Sequence, residues 1–183
     1  AARELDVVAM LGVTNDDLSV SEFARTVNGM SDDELIANGR VPKLDLAAEV
    51  TVQNTLLRLA DEMLLRSAHD CSDGGLAVTI AESCFSSLGR EAVGAEISLR
   101  EAELSVDAQL FSESPSRIVI SFAPEKLDAV AEIVEGLNCP FMVLGQTGGE
   151  SLTIKLGETV IVEAPLAELE DAWRNSLERR LES

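Results

Sequence analysis

The chain has 183 residues and 46% hydrophobic content, enough for one globular domain with a substantial core rather than a disordered polymer. Its formal net charge of −19 excludes nucleic acid and anionic membrane surfaces as natural partners, because both select basic faces. No apolar run reaches the roughly 18 residues that span a bilayer, no secretory signal opens the chain, and Cys71, Cys84 and Cys139 form neither a disulfide framework nor a zinc pattern, so they read as reduced thiols of a cytoplasmic protein.

Leu5 to Leu11 is mostly apolar and stops at Gly12, which predicts a buried strand. Thr14 to Asp17 is a polar turn. Ser21 to Asn28 is predicted as a short helix capped by Ser19 or Ser21 and ended at Gly29. Ser31 to Pro42 contains Gly39 and Pro42 and reads as an irregular surface segment with a brief helical turn at Asp32-Asp33-Glu34. Asp45 to Arg66 carries apolar residues over half of a helical wheel, which suits a long helix lying on a sheet. Glu49 falls inside that arc and is expected to favour the helix dipole from the first turn.

Ser67 to Ser83, S-A-H-D-C-S-D-G-G-L-A-V-T-I-A-E-S, reads as strand, tight turn and helix start. Asp73 is the expected N-cap, since its carboxylate can accept from the first-turn N–H groups. Gly74 and Gly75 allow close approach of a backbone or a ligand. Free N–H groups at a helix start attract phosphate, and Asp70 is an oxygen ligand of the kind Mg²⁺ prefers. The plainer reading of the same residues is a strand-to-helix turn that needs glycines.

Gly94 to Leu99 alternates as a strand, Ser105 to Phe111 is a short helix, and Arg117 to Phe122 is a β-branched strand. Pro124 to Gly136 has the proline and glycine ends of a helix. Phe141 to Thr147, Leu152 to Leu156 and Thr159 to Glu163 are predicted strands, with Gly148-Gly149 and Gly157-Glu158 as hairpin turns. Pro165 to Leu181 closes as a helix, acidic first and basic last, as its dipole favours. Strands and helices mix without strict alternation, which predicts an α+β fold: a mixed sheet covered by helices. There is no P-loop pattern and no nucleophile–histidine constellation. No residue is assigned as catalytic. His69 is read as structural, and so are Glu113 and Arg117, either paired across the start of a strand or facing a cleft.

The run H-D-x-S-D-G-G-L-A-V-x-x-A-E (His69 to Glu82) resembles the segment that marks the C-terminal domain of the aminoimidazole ribonucleotide (AIR) synthetase superfamily. Within it the similarity is to the phosphoribosylformylglycinamidine synthases, the purine-pathway amidotransferases. Leu110 to Arg117 resembles their F-S-E-S-x-x-R strand start, and Leu11-Gly12 to Ser21-Glu22-Phe23 their L-G-x-T…G-G-S-E-Y run, with Ser19-Val20 replacing the Gly-Gly. The likeness extends to the Trp173 segment. It implies a three-layer α/β/α domain with partly ferredoxin-like topology, occupying residues 1–183 as a single AIR synthase-related C-terminal domain. It implies that Asp70 binds Mg²⁺ beside the phosphates of ATP or ADP, that Ser72 contacts the nucleotide, and that Gly74 and Gly75 shape the turn that takes it.

The missing initiator Met and the immediate strand are expected of a fragment of a longer multidomain enzyme, and the resemblance implies the same. Its partners would be the preceding domains and a glutaminase that supplies ammonia. The whole would convert formylglycinamide ribonucleotide to formylglycinamidine ribonucleotide with ATP, and this piece alone would be inactive. The alternatives are a non-catalytic scaffold holding a structural Mg-nucleotide, or the equivalent domain of AIR synthetase, thiamine monophosphate kinase or selenophosphate synthetase. The F-S-E-S-x-x-R stretch and the Trp173 tail favour the purine enzyme.

Overall fold

Side-chain alternation along one strand organises the molecule. The computed structural model describes residues 5–87 and 89–181. Strand β1 (Val7–Leu11) sends Val8 and Met10 to one face of a seven-stranded sheet and Ala9 and Leu11 to the other. Both faces are covered, so β1 reads as a continuous apolar run.

Helices α3 (Leu46–Asp61) and α6 (Leu127–Gly136) cover the Ala9 and Leu11 face, burying Val52, Leu59, Val130 and Val134 against Ile120 and Phe122. Helices α4 (Gly75–Cys84), α5 (Val106–Phe111) and α7 (Leu166–Leu181) cover the other face, where Leu76, Ile80, Leu110 and Leu166 meet Ile97, Leu144 and Ile154. Three layers, α/β/α, result. Leu59, Ile97, Ile120 and Ile154 are fully buried; each such side chain contributes about 1.5–3 kcal/mol relative to exposure. Among the described residues no buried polar side chain lacks a hydrogen-bond partner. Both cores close within the chain, which is what independent folding requires.

The remaining strands are β2 (Leu65–Asp70), β3 (Ala95–Leu99), β4 (Ile118–Phe122), β5 (Phe141–Thr147), β6 (Ser151–Leu156) and β7 (Thr159–Pro165). They lie in the order β2-β4-β1-β5-β3-β6-β7. Only β3 and β6 pair in parallel; every other neighbouring pair is antiparallel. The units β1-α3-β2 and β4-α6-β5 interleave as β2-β4-β1-β5, the ferredoxin-like part of the topology. Strands β3, β6 and β7 extend it. No helix among the described residues is long and apolar enough to cross a membrane.

Several expectations hold. Ser21 caps α1 (Glu22–Thr26), accepting from the Ala24 N–H. The Gly157-Glu158 turn joins the β6–β7 hairpin. Helix α6 ends at the expected Gly136, and α7 fills nearly all of the expected Pro165 to Leu181.

Three expectations are corrected. The helix from Asp45 stops at Asp61 rather than Arg66, because Met63 turns to φ 53° and the following residues pair with β4 as the edge strand β2. Ser31 to Pro42 is not irregular. Asp32–Asn38 forms α2 behind a full capping box, in which the Ser31 hydroxyl accepts from the Glu34 N–H and the Glu34 carboxylate from the Ser31 N–H. Gly148-Gly149 is not a hairpin turn. Strand β3 lies between β5 and β6, and the turn is instead bonded to Gly94, which leads into β3.

Candidate functional site

Strand β2 ends at Asp70, and its pairing with β4 runs one residue further, through the Cys71 N–H to the Arg117 carbonyl at 2.9 Å. The chain then turns, with the Gly75 N–H donating to the Ser72 carbonyl at 3.0 Å, and enters α4. Asp70 stands at this corner with its side chain 72% exposed. The Ser72 hydroxyl donates to Asp70 Oδ2. That bond above all, with the nearby His69 as a lesser influence, holds the carboxyl below the usual aspartate range. Asp70 is therefore an anion at neutral pH.

His69 donates from Nδ1 to the Asp70 carbonyl at 2.8 Å, and its Nε2 lies 3.5 Å from Glu82 of α4. The Thr79 hydroxyl also reaches the Asp70 carbonyl, at 3.3 Å. These contacts stitch the end of β2 to α4 and fit the structural reading of the one histidine.

The cap of α4 corrects the sequence reading. Asp73 is exposed and caps nothing; the N-cap residue is Gly74, in the left-handed region at φ 81°. Its N–H donates to Glu113 Oε1 at 2.8 Å, and the same oxygen accepts from the Glu22 N–H at the start of α1, also at 2.8 Å. One carboxylate from a distant loop thus serves two helix starts, where the dipoles favour it. Gly75, at φ 66°, has no room for a side chain: a Cβ there would lie 2.6 Å from the Ser112 carbonyl oxygen and 2.7 Å from the Phe111 backbone. The glycines that sequence analysis offers to a ligand are thus engaged by protein: Gly74 by Glu113, and Gly75 by the end of α5 and by Ser72.

The loop that carries Glu113 is itself clamped. Arg117 is only 2% exposed. It donates from Nε to the Ser114 carbonyl at 3.0 Å, from Nη1 to the Thr14 hydroxyl at 3.0 Å, and from Nη2 to the Ser112 carbonyl. Burial draws its pKa down, opposed by Asp17 and Glu113 nearby, and a guanidinium stays charged through such a change. No ion pair joins Glu113 to Arg117: Glu113 accepts from two backbone N–H groups, and Arg117 donates to two carbonyls and the Thr14 hydroxyl. The Ser114 hydroxyl donates to Asp17 Oδ2 at 2.6 Å and accepts from the Asn15 N–H at 2.9 Å, while the Ser112 hydroxyl accepts from the Asp17 N–H at 3.1 Å. Sequence analysis missed Asp17, Ser112 and Ser114. The available signal was the two-residue spacing of the hydroxyls, which puts both on one side of an extended segment. Glu49, expected to serve the dipole, also accepts from the Ser116 and Gln53 side chains.

Among the described residues no group of three or more His, Cys, Asp and Glu side chains is placed to hold a metal ion. Asp70 is a single exposed carboxylate, which fits one protein ligand of a Mg²⁺ whose other positions go to phosphate and water. Asp70 and Ser72 line none of the principal cavities. The corner is open to solvent.

These features define a three-layer α+β domain whose sheet end presents an ionised carboxylate beside a helix start. The chain belongs to the AIR synthase related protein, C-terminal domain family, whose pattern matches residues 6–157. It is similar to the phosphoribosylformylglycinamidine synthase subunit PurL of Thermoanaerobacter sp. (strain X514), with 34% identity over 180 residues, 98% of this chain and 23% of that protein. Against the PurL subunit of Thermobifida fusca (strain YX), identity is 38% over 177 residues, 97% of this chain and 21% of that protein. The chain thus spans less than a quarter of the length of these relatives. The structure of T. maritima PurL complexed with FGAR shares the fold, at TM-score 0.74 and 22% identity over 92% of this chain and 28% of that one. The same protein complexed with ATP gives a TM-score of 0.69 at 21% identity, over 92% of this chain and 26% of that one.

Proposed function

We propose that the chain is the C-terminal domain of a phosphoribosylformylglycinamidine synthase, an ATP-dependent C–N ligase of cytoplasmic purine synthesis. The observation that carries this is the similarity to PurL subunits over nearly the whole chain, through β7 and α7 and past the family match that ends at residue 157. Formylglycinamide ribonucleotide is the substrate, ATP activates its amide oxygen, and ammonia from a glutaminase partner displaces the phosphate. The other domains of the polypeptide complete the site, so this chain alone has no synthase activity.

Within that enzyme the chain's own residues bind and orient. Asp70, kept ionised by the Ser72 hydroxyl, is the carboxylate that would hold Mg²⁺ on a nucleotide. The Ser72 hydroxyl donates to Oδ2 and so orients the carboxylate that would hold the metal. When bound, Mg-ATP supplies the phosphoryl group and the metal charge that stabilises its transfer. Glu113 and Arg117 hold the start of α4 against α1, so the turn that carries Ser72 does not drift.

A second reading, a scaffold that holds Mg-nucleotide without turning it over, draws on the engaged N–H groups of Gly74 and Gly75, which leave less of a phosphate cradle. Asp70→Asn in the full-length enzyme tests both. Calorimetric titration with Mg-ADP is expected to show about tenfold or greater loss of affinity, with the fold unchanged by circular dichroism. Equal affinities would remove the metal role. Lost affinity with full amidine formation would select the scaffold.

A further inference from the structure

The second half of α7 is held by polar contacts rather than by either core. Leu166 is buried, but Trp173 is 52% exposed, Leu177 68% and Leu181 79%. The Trp173 indole N–H donates to Glu82 Oε1 on α4 at 2.8 Å, and its ring lies 5.7 Å from that of Phe85. Arg174 donates to the Ser86 carbonyl at 2.6 Å and to Glu170 Oε1 at 2.7 Å. The Glu82 carboxylate carries the contact onward. Its other oxygen, Oε2, lies 3.5 Å from His69 Nε2, and His69 Nδ1 meets the Asp70 carbonyl at 2.8 Å. Trp173, Glu82, His69 and the Asp70 carbonyl thus form one line from α7 to the exposed corner. Strand β2 lies at the edge of the sheet with β4 as its one neighbour, so the ladder holds the end of β2 from one side only. The opposite support comes from α4, through Thr79 and through this line.

We infer that Glu82, His69 and Trp173 are positioning residues: through them α7 fixes the backbone of Asp70 and so raises the affinity of its carboxylate for a divalent cation carried on a nucleotide. The inference rests on the reading of Asp70 as the metal carboxylate, and three observations carry it. First, the line ends on the backbone of Asp70, whereas the Ser72 hydroxyl holds the side chain, so the two together fix both ends of the residue. Second, Glu82 divides its oxygens between α7 and His69, so the direction of the carboxylate that faces the imidazole is set by Trp173. Third, the arrangement adds little to stability, because a hydrogen bond from a half-exposed indole replaces one that water would make. What it changes is where Glu82 points. Groups that orient a metal ligand without touching the metal commonly change affinity by about ten- to a hundredfold. Helix α7 lies past residue 157, where the family pattern ends, so the support comes from a part of the chain outside that pattern.

Calorimetric titration of the full-length polypeptide with Mg-ADP tests this, beside hydrogen–deuterium exchange of peptides covering 67–74 in its metal-free form. Glu82→Ala is expected to weaken Mg-ADP about tenfold and to speed exchange at 67–74. Glu82→Gln keeps an oxygen for Trp173 and an amide for His69, and should restore most of the affinity. Trp173→Phe keeps a ring on Phe85 and removes the donor, and should weaken binding in the same direction by about threefold. In the 183-residue chain Glu82→Ala should move the melting temperature by less than about 3 °C, since Glu82 belongs to neither core. Wild-type affinity in Glu82→Ala, beside lost affinity in Asp70→Asn, overturns the positioning role and keeps the metal reading. Wild-type affinity in Trp173→Phe also overturns it, because α7 then takes no part. So does an affinity loss that Glu82→Gln fails to restore and that comes with a melting temperature lowered by more than about 10 °C, the mark of a structural role. Wild-type affinity in Asp70→Asn removes the metal reading, and exchange then decides: faster exchange at 67–74 in Glu82→Ala keeps the hold on Asp70, and equal exchange overturns it.

Discussion

Two segments meet at the start of α4, and they are built in opposite ways. Residues 112–117 are saturated with internal bonds: Arg117 holds two carbonyls and a hydroxyl, Ser112 and Ser114 hold the 15–17 loop, and Glu113 holds two helix starts. Residues 70–73 are sparse. Asp70 has one close side-chain hydrogen-bond partner, Ser72, and Ser72 and Asp73 are exposed. The dense segment uses its polar groups to hold the fold. The sparse one leaves a charge facing solvent that the fold does not use. An unused, well-oriented carboxylate next to a rigid seat is what a binding corner needs, because ordering costs are met before the ligand arrives.

The largest way to break this contrast is to remove the clamp. Arg117→Ala strips the partners from two buried carbonyls and leaves a cavity, and is expected to destabilise the chain by on the order of 3–4 kcal/mol in urea unfolding. A loss under about 1 kcal/mol would mean that the dense segment is not the seat. Gly75→Ala comes next. It forces a Cβ against the Ser112 carbonyl at a positive φ, for an expected cost of about 2–3 kcal/mol in the same measurement. Wild-type stability there would show that α4 and α5 can separate freely.

The smallest effect sharpens the comparison from the sparse side. Ser72→Ala removes the hydroxyl that lowers the Asp70 pKa. A depressed folded-state pKa contributes stability that is present above the ordinary aspartate range and lost as pH falls through the depressed value. The variant should lack that contribution, and the difference should be small because an exposed carboxylate is screened by water. The direct readout is an NMR pH titration of the Asp70 carboxyl, whose midpoint should rise toward the ordinary value. An unmoved midpoint would show that Ser72 does not hold the carboxylate.

Much of the fold was legible along the chain. The buried strand at Val7–Leu11 shows as an apolar run, the Ser21 cap as a serine before a helical pattern, and the β6–β7 hairpin as strands around a glycine turn. Where a local pattern was misread, as with the Ser31–Glu34 capping box, the signal was present and short-ranged. The end of α3 was different. Periodicity carries it on toward Arg66, and only the edge-strand pairing of Leu65–Asp70 with β4 cuts it at Asp61. The insertion of β3 between β5 and β6 is of the same kind, since no pattern within those strands names the neighbour.

The candidate site divides along the same line. Asp70 and Ser72 are two positions apart at a strand end, so sequence alone put carboxylate and hydroxyl together, and the Gly-Gly turn marked the helix start. Such features depend on atoms a few residues apart, which any chain of this sequence brings close. The role of Glu113 depends on N–H groups 39 and 91 residues away, and that of Arg117 on a hydroxyl 103 residues away. Strand order, the cap of α4 and the contact of Trp173 with Glu82 are decided by which distant surfaces meet. That choice belongs to the packing of the whole sheet, because contacts between residues far apart in the chain exist only once the layers have closed.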